Sequence, residues 1–337
     1  MTLRLIPFAL AAFVLVSAQV RAEFSFVVIG DTPYDAQDQR MLDAAVAETM
    51  RLKPPFVIHL GDFKGGKAPC DGSADEAFAD LIEALKPIPV FATPGDNEWT
   101  DCDRHDDPKT GRPYSELARL AELRRRFHEG PPTGGQALRG ERQAAQAENQ
   151  RWSYGGALFV TVHVVGTSDG LSYVNGDPLE QAFSAHAERR KANIAWIAES
   201  AEMAKAAGSE VLVFAFQGDP MDVSRQSMGK SCSGAAEALN PCDAFIEVRA
   251  ALQAAAAAFG GPVLVIHGDT EPFTLGRFPG GAASSLWRLN AAGDAGVGAG
   301  GFAYGVRDVT LVTVTGNAGT PFAARGLTTG RAARRSD

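Results

Sequence analysis

Four glycine–aspartate pairs close apolar runs in this sequence: Gly30-Asp31, Gly61-Asp62, Gly95-Asp96 and Gly268-Asp269. A fifth acid, Asp219, follows Gln217-Gly218 in the same setting. One such pair is an ordinary turn, because a short acidic side chain bonds its own backbone. Four or five in one chain are hard to assign to turns alone. Carboxylates gathered at one rim repel each other, and burying them is costly unless cations or protons neutralise them. Acids in this pattern point to a bound metal ion.

Alternating strands and helices must position these acids. Apolar, β-rich runs over residues 24–29, 56–60, 90–93, 157–165, 211–216, 263–267, 286–289 and 309–314 read as strands. Helical spacing of Leu42, Ala45, Val46 and Met50 follows the first strand. Helices are also predicted over 77–85, 115–127, 189–207 and 245–259. In an open α/β sheet, ligands bind outside the carboxyl ends of the strands, so five strand ends would deliver acids to one rim. Residues 129–150 are polar, with Pro131-Pro132 and Gly134-Gly135, and read as a long surface excursion. Residues 321–337, with Arg325, Arg331, Arg334 and Arg335, read as a loose basic tail.

The chain has 337 residues, a net charge of −8, 45% hydrophobic and 21% charged residues. This suits one large or two small globular domains and excludes a disordered chain. The acidic balance argues against a nucleic-acid partner. No apolar run reaches the length of a full membrane span, so no stable span is expected once the leader is removed. Residues 1–22 carry Arg4, an apolar run from Leu5 to Ala18, and Val20-Arg21-Ala22 before Glu23. That is the pattern of a secretory signal peptide, so a periplasmic or extracellular location is expected. The four cysteines, Cys70, Cys102, Cys232 and Cys242, allow three pairings. Cys70–Cys102 and Cys232–Cys242 are favoured: the first ties two loops behind site strands, and the second closes a short loop. A cysteine metal site is disfavoured, because no CxxC spacing exists.

The order of these blocks resembles the calcineurin-like metallophosphoesterases, over roughly residues 24–315. Their five blocks read Asp-x-His, Gly-Asp, Gly-Asn-His-Glu/Asp, a lone His, and Gly-His-x-His. The matching stretches are Gly30-Asp31-Thr32-Pro33, Gly61-Asp62, Gly95-Asp96-Asn97-Glu98, Gln217 and Gly268-Asp269-Thr270-Glu271. Trp152-Ser153-Tyr154, the strand leading to Gly166-Thr167-Ser168, and Ala195-Trp196-Ile197 also resemble family features. The resemblance implies an α/β fold over residues 23–320: a four-layer αββα sandwich, with two mixed sheets flanked by helices. It also implies a two-metal site. One ion would see Asp31, Asp62 and Glu271; the other would see Asp62, Asp96, Asp269 and either Gln217 or Asp219.

Every family histidine in these blocks is replaced. Pro33 offers no ligand, and Asn97 stands where the catalytic His would be. Oxygen ligands suit Mn, Mg or Ca better than Zn or Fe. Asn97 cannot act as a general acid, but its amide can donate to a phosphate oxygen. His267 and His59 lie near the strand ends and are either substitutes for the missing His or supporting residues behind the site. Lys64, in the loop after Asp62, is a candidate contact for an anionic substrate. Two functions stay open: an exported phosphoesterase using one or two divalent ions on a small phosphorylated substrate, or a catalytically impaired relative that binds a cation or phosphate.

Overall fold

The computed structural model describes residues 23–131, 133–172, 174–222, 231–232, 242–270, 272–280, 285–293 and 305–336. Residues 1–22, where a leader is expected, the glycine-rich stretch 296–301 and Glu271 lie outside the described residues. Two sheets pack face to face. The first runs, in spatial order, Phe322–Gly326, Thr310–Val314, Phe24–Ile29, Val57–His59, Val90–Ala92. Its last three strands are mutually parallel; Thr310–Val314 runs opposite to them, and Phe322–Gly326 pairs antiparallel to Thr310–Val314. The second sheet runs Arg334–Ser336, Thr274–Arg277, Leu286–Asn290, Val263–His267, Val211–Ala215, Ala157–Thr161, Gln150–Tyr154, Glu141–Arg142. It too is mixed, with a parallel centre.

Period-two alternation explains the layers. Along the first strand, Phe26 and Val28 face the second sheet, whereas Val27 and Ile29 face the helix Ala36–Leu52. Along Ala157–Thr161, Phe159 faces the first sheet, while Leu158 and Val160 meet the helices Leu179–Ala206 and Ile246–Phe259. The seam between the sheets is aromatic. Phe91 stacks on Trp152 with centroids 3.5 Å apart, and Phe56 sits edge-on to both and to Phe159. Helix, sheet, sheet, helix is the four-layer arrangement expected. Trimming one of these aromatics to alanine costs about 3–5 kcal/mol.

Both favoured cysteine pairs are disulfides, with Cα–Cα distances of 5.7 Å for Cys70–Cys102 and 5.2 Å for Cys232–Cys242. No helix among the described residues is long and apolar enough to cross a membrane. The residues after 320 depart from the loose tail expected of them. Phe322–Gly326 pairs antiparallel with Thr310–Val314, and Arg334–Ser336 runs parallel beside Thr274–Arg277. Phe322, Ala324 and Gly326 face inward while Ala323 and Arg325 face solvent, a strand alternation that the basic composition obscured. The helix expected over 189–207 begins earlier, at Leu179, after Pro178.

Candidate active site

Strand register brings the acid-bearing turns to one edge. Ile29, His59 and Ala92 are lateral neighbours at the ends of three parallel strands, so the segments carrying Asp31, Asp62 and Asp96 leave the first sheet side by side. Ala215 and Ile266 are neighbours in the second sheet, which places Gln217 and Asp269 opposite them. Backbone bonds lock the turns: Thr32 N–H donates to the Asp62 carbonyl at 3.1 Å, and Gly268 N–H to the Gln217 carbonyl at 2.9 Å. Asp31, Asp62 and Asp269 all adopt left-handed φ values of 51°, 56° and 69°. Aspartate tolerates that region better than most residues, yet it still costs about 1 kcal/mol each, and such outliers concentrate at functional sites.

The carboxylates converge. Gln217 is fully buried. Its Nε2 donates to Asp62 Oδ2 at 3.2 Å, Asp96 Oδ1 at 3.1 Å and Asp269 Oδ1 at 3.2 Å. Asp62 Oδ2 also accepts from Asn97 Nδ2 at 2.8 Å and the Tyr34 hydroxyl at 2.9 Å, and Asp62 Oδ1 accepts the Asn97 backbone N–H. Asp31 Oδ1 accepts the Asp269 backbone N–H at 2.9 Å. Asp96 accepts the Thr167 hydroxyl. A Cβ at Gly268 would collide with the Asp31 carboxylate, one at Gly95 with that of Asp62, and one at Gly166 with those of Asp269 and Asp96. The backbone is cut away to admit these oxygens.

Crowding shows in the titration of the acids. Burial, then the charges of Asp96, Glu98, Asp31 and Asp269, push the Asp62 carboxyl well above its ordinary range. Burial, then Asp96 and Asp31, do the same to Asp269. Burial raises Asp101 to about 7, with Asp96 adding to it. Tyr34 is likewise pushed well above 10 by burial and by Asp62, so its phenol stays protonated.

Asp31, Asp62, Asp96, Asn97, Gln217 and Asp269 are therefore together. Other candidates fall elsewhere. Asp219 sits beside the cluster but is held by Arg288 at 2.7 Å and by the Thr270 hydroxyl. His267 is buried, and burial lowers it to about 4. Its Nδ1 faces the Gly268 carbonyl at 2.8 Å and its Nε2 accepts from Arg288 Nε at 2.7 Å, so neither ring nitrogen is open to a substrate. This places His267 behind the site as a support. His59 is fully buried in the same way, with Nδ1 accepting the Gly61 N–H. Lys64 turns its ammonium into its own loop, donating to the carbonyls of Ala68 and Gly65, and is buried away from an incoming anion. Glu98 clamps the turns from beneath, accepting from Gly95 N–H at 2.7 Å and Asp62 N–H at 3.0 Å.

Two contributors were not singled out from sequence. Tyr34 carries no signal distinguishing it from other loop tyrosines. Thr167 lies in the Gly166-Thr167-Ser168 turn, where Thr167, Ser168 and Asp169 are all left-handed, a conformation that sequence does not announce.

The family model for calcineurin-like phosphoesterases matches residues 24–270. The chain belongs to the calcineurin-like phosphoesterase family, a family of phosphoesterase-type hydrolases. No curated protein matches it. Among solved structures it is similar to a dimetal phosphatase from Danio rerio, 12% identical over 89% of this chain and 98% of that one, with a TM-score of 0.46. It is also similar to GAP50, the anchor in the inner membrane complex of Plasmodium, at 13% identity over 92% and 86%, TM-score 0.44. The NAD nucleotidase of Haemophilus influenzae is 11% identical over 94% and 54%, TM-score 0.38.

The family implies divalent metal, and the donor set bears on how many ions fit. Among the described residues, no group of three or more His, Cys, Asp or Glu side chains is arranged as a ready metal cage. The Gln217 amide stands between three of the carboxylates instead. On the other flank, a recess of about 130 Å³ is lined by Asp31, Tyr34, Asp269, Thr270 and Gly293. Its acidic oxygens suit one hard cation.

Proposed function

We propose that this protein is an exported, cation-dependent phosphoesterase acting on a small phosphorylated substrate. The observation that carries the reading is the convergence of Asp31, Asp62, Asp96 and Asp269 from four strand ends onto one cluster, in which Asp31 and Asp269 line the recess. Four carboxylates in so small a space favour a doubly charged partner. Asp31, Asp62 and Asp269 would hold it, and Mn, Mg or Ca suits their oxygens better than Zn or Fe. A bound divalent cation supplies Lewis acidity toward a phosphoryl oxygen and lowers the pKa of water.

The chain's own residues do the rest. Asn97 Nδ2 and the Tyr34 hydroxyl are neutral donors that hold the Asp62 carboxylate, and each would exchange one of these bonds for a phosphoryl oxygen when substrate binds, without adding charge. Asp62 anchors both. Glu98 holds the Asp62 and Gly95 backbones, and so fixes where the Asp62 carboxylate points. Two disulfides and the leader pattern at 1–22 support export.

A second reading, cation or phosphate binding without turnover, is favoured by one feature. Asn97 stands where a proton donor to the leaving group would stand, and both nitrogens of His267 are engaged. General acid help is worth about 10²–10⁴ in rate. The test is release of product from p-nitrophenyl phosphate and bis-p-nitrophenyl phosphate with Mn2+, Mg2+ or Ca2+, against Asp62→Asn. Turnover that needs the metal and is lost in Asp62→Asn supports the enzyme. Metal binding without turnover transfers the protein to the second reading.

A further inference from the structure

We infer that the side-chain amide of Gln217 takes the place of a second cation, so that this site holds one divalent ion where its relatives' pattern calls for two. The inference rests on the cation-dependent reading above and narrows it.

The geometry is specific. An amide can turn either its oxygen or its nitrogen toward a neighbour, and its bonds decide which. Gln217 Oε1 accepts the Gly166 backbone N–H at 2.6 Å. Turning the amide over would set an N–H2 against that N–H, donor against donor. The Gly166 bond therefore points Nε2 the other way, at Asp62, Asp96 and Asp269, each 3.1–3.2 Å distant. These are the three acids that the resemblance assigns to the second ion. Amide nitrogen donates hydrogen bonds and offers no lone pair to a metal. An ion there would need oxygens at about 2.0–2.6 Å from its centre, in the volume that the N–H2 group fills.

The surroundings are built for the amide in this orientation. Gly166 has no Cβ, and one would collide with both Asp269 and Asp96, so their carboxylates reach the amide only because the turn carries glycine. Gln217 is wholly buried and wholly bonded, two N–H donors shared among three carboxylates and one oxygen accepted into a backbone bond. It tethers the three acids without neutralising them. The remaining position, beside Asp31, Tyr34 and Asp269, opens into the 130 Å³ recess and is left to a single ion.

The test is metal stoichiometry on the intact mature chain, with Mn2+ as the probe. It is measured by calorimetric titration and by elemental analysis after desalting. Wild type is expected to bind one Mn2+. Gln217→His and Gln217→Glu each put a ligand where the amide stood, and each is expected to bind two; circular dichroism confirms that both are folded. Two ions in wild type, or the same number in wild type and both variants, would overturn the inference and leave the proposed activity standing. No ion in wild type with one in Gln217→His keeps the role of Gln217 and overturns the cation-dependent reading. No ion in any of the three overturns both.

Discussion

The Nε2 of Gln217 lies 3.2 Å from Oδ2 of Asp62, although the two residues are 155 positions apart and leave different sheets. The site is therefore a property of the seam between the sheets. Asp31, Asp62 and Asp96 come from the first sheet, and Gln217 and Asp269 from the second. Neither sheet alone contains it.

Tyr34 sits on that seam with its hydroxyl 2.9 Å from Asp62 Oδ2, accepting in turn from Asn97 Nδ2 at 3.1 Å. Tyr34→Phe deletes one donor and keeps the ring. We expect stability to fall by about 1 kcal/mol. Turnover should fall by roughly 10²-fold, in kcat more than in KM, if the hydroxyl orients phosphoryl oxygens. Steady-state kinetics with p-nitrophenyl phosphate checks this; an unchanged kcat removes Tyr34 from the machinery.

Burial holds five of the six histidines below their ordinary value, His59 and His128 at about 3 and His267 at about 4, with His163 and His186 also lowered. The native chain keeps them neutral, whereas the unfolded chain protonates them near pH 6.5. Below that pH the unfolded state binds more protons at these histidines, so the stability they contribute falls as pH falls. The slope is about 1.4 kcal/mol per pH unit for each histidine, down to each folded value. Asp169 adds to the same loss at lower pH. Burial opposes its ionisation, but Arg189 and His186 hold it at about 2, so its contribution disappears as pH drops from about 4. Asp62, Asp269 and Asp101, whose carboxyls burial raises, bind protons first in the native state and contribute with the opposite sign over the same range. The histidine contribution is therefore read by difference: denaturant titrations at pH 7.5, 6 and 5 should show His128→Gln losing less stability toward pH 5 than wild type, and an identical pH profile for the two would contradict it.

Cys70–Cys102 closes a loop of 32 residues that contains Asp96, Asn97 and Glu98. Chain-entropy arguments give such a cross-link about 3–4 kcal/mol. Cys70→Ala/Cys102→Ala should lose about that much. It should also weaken Mn2+ binding, because the loop that carries Asp96 is no longer tied behind. Calorimetric melting with and without Mn2+ separates the two effects. Equal melting temperatures for the variant and wild type would show that the disulfide is dispensable.

The layered fold and most of the cluster were legible in the sequence, for a physical reason. Buried parallel strands read as continuous apolar runs such as Val263 to His267, and three of them run into a Gly-Asp turn whose aspartate, Asp31, Asp62 or Asp269, is left-handed. The ends of the chain were less legible. The strand Arg334–Ser336 is three exposed residues whose stability comes from pairing with Thr274–Arg277, an interaction with no local pattern. Roles were harder to read than positions. Lys64 follows Asp62 by two residues and looked ready for an anion, but its loop folds back so that its ammonium bonds carbonyls. His267 precedes Gly268 and looked available, until Arg288 from the neighbouring strand filled its Nε2. Both outcomes depend on partners distant in sequence. The same holds for Gln217, whose identity was visible but whose orientation is set by Gly166.

The most direct check on the clustered acids is anomalous diffraction from crystals of residues 23–337 soaked in Mn2+, compared with Asp62→Asn crystals treated alike. An anomalous peak is expected within ligand distance of Asp31, Asp62 and Asp269 at the mouth of the recess, absent from the variant. A peak elsewhere on the surface, or one that persists undiminished without the Asp62 carboxylate, would contradict it.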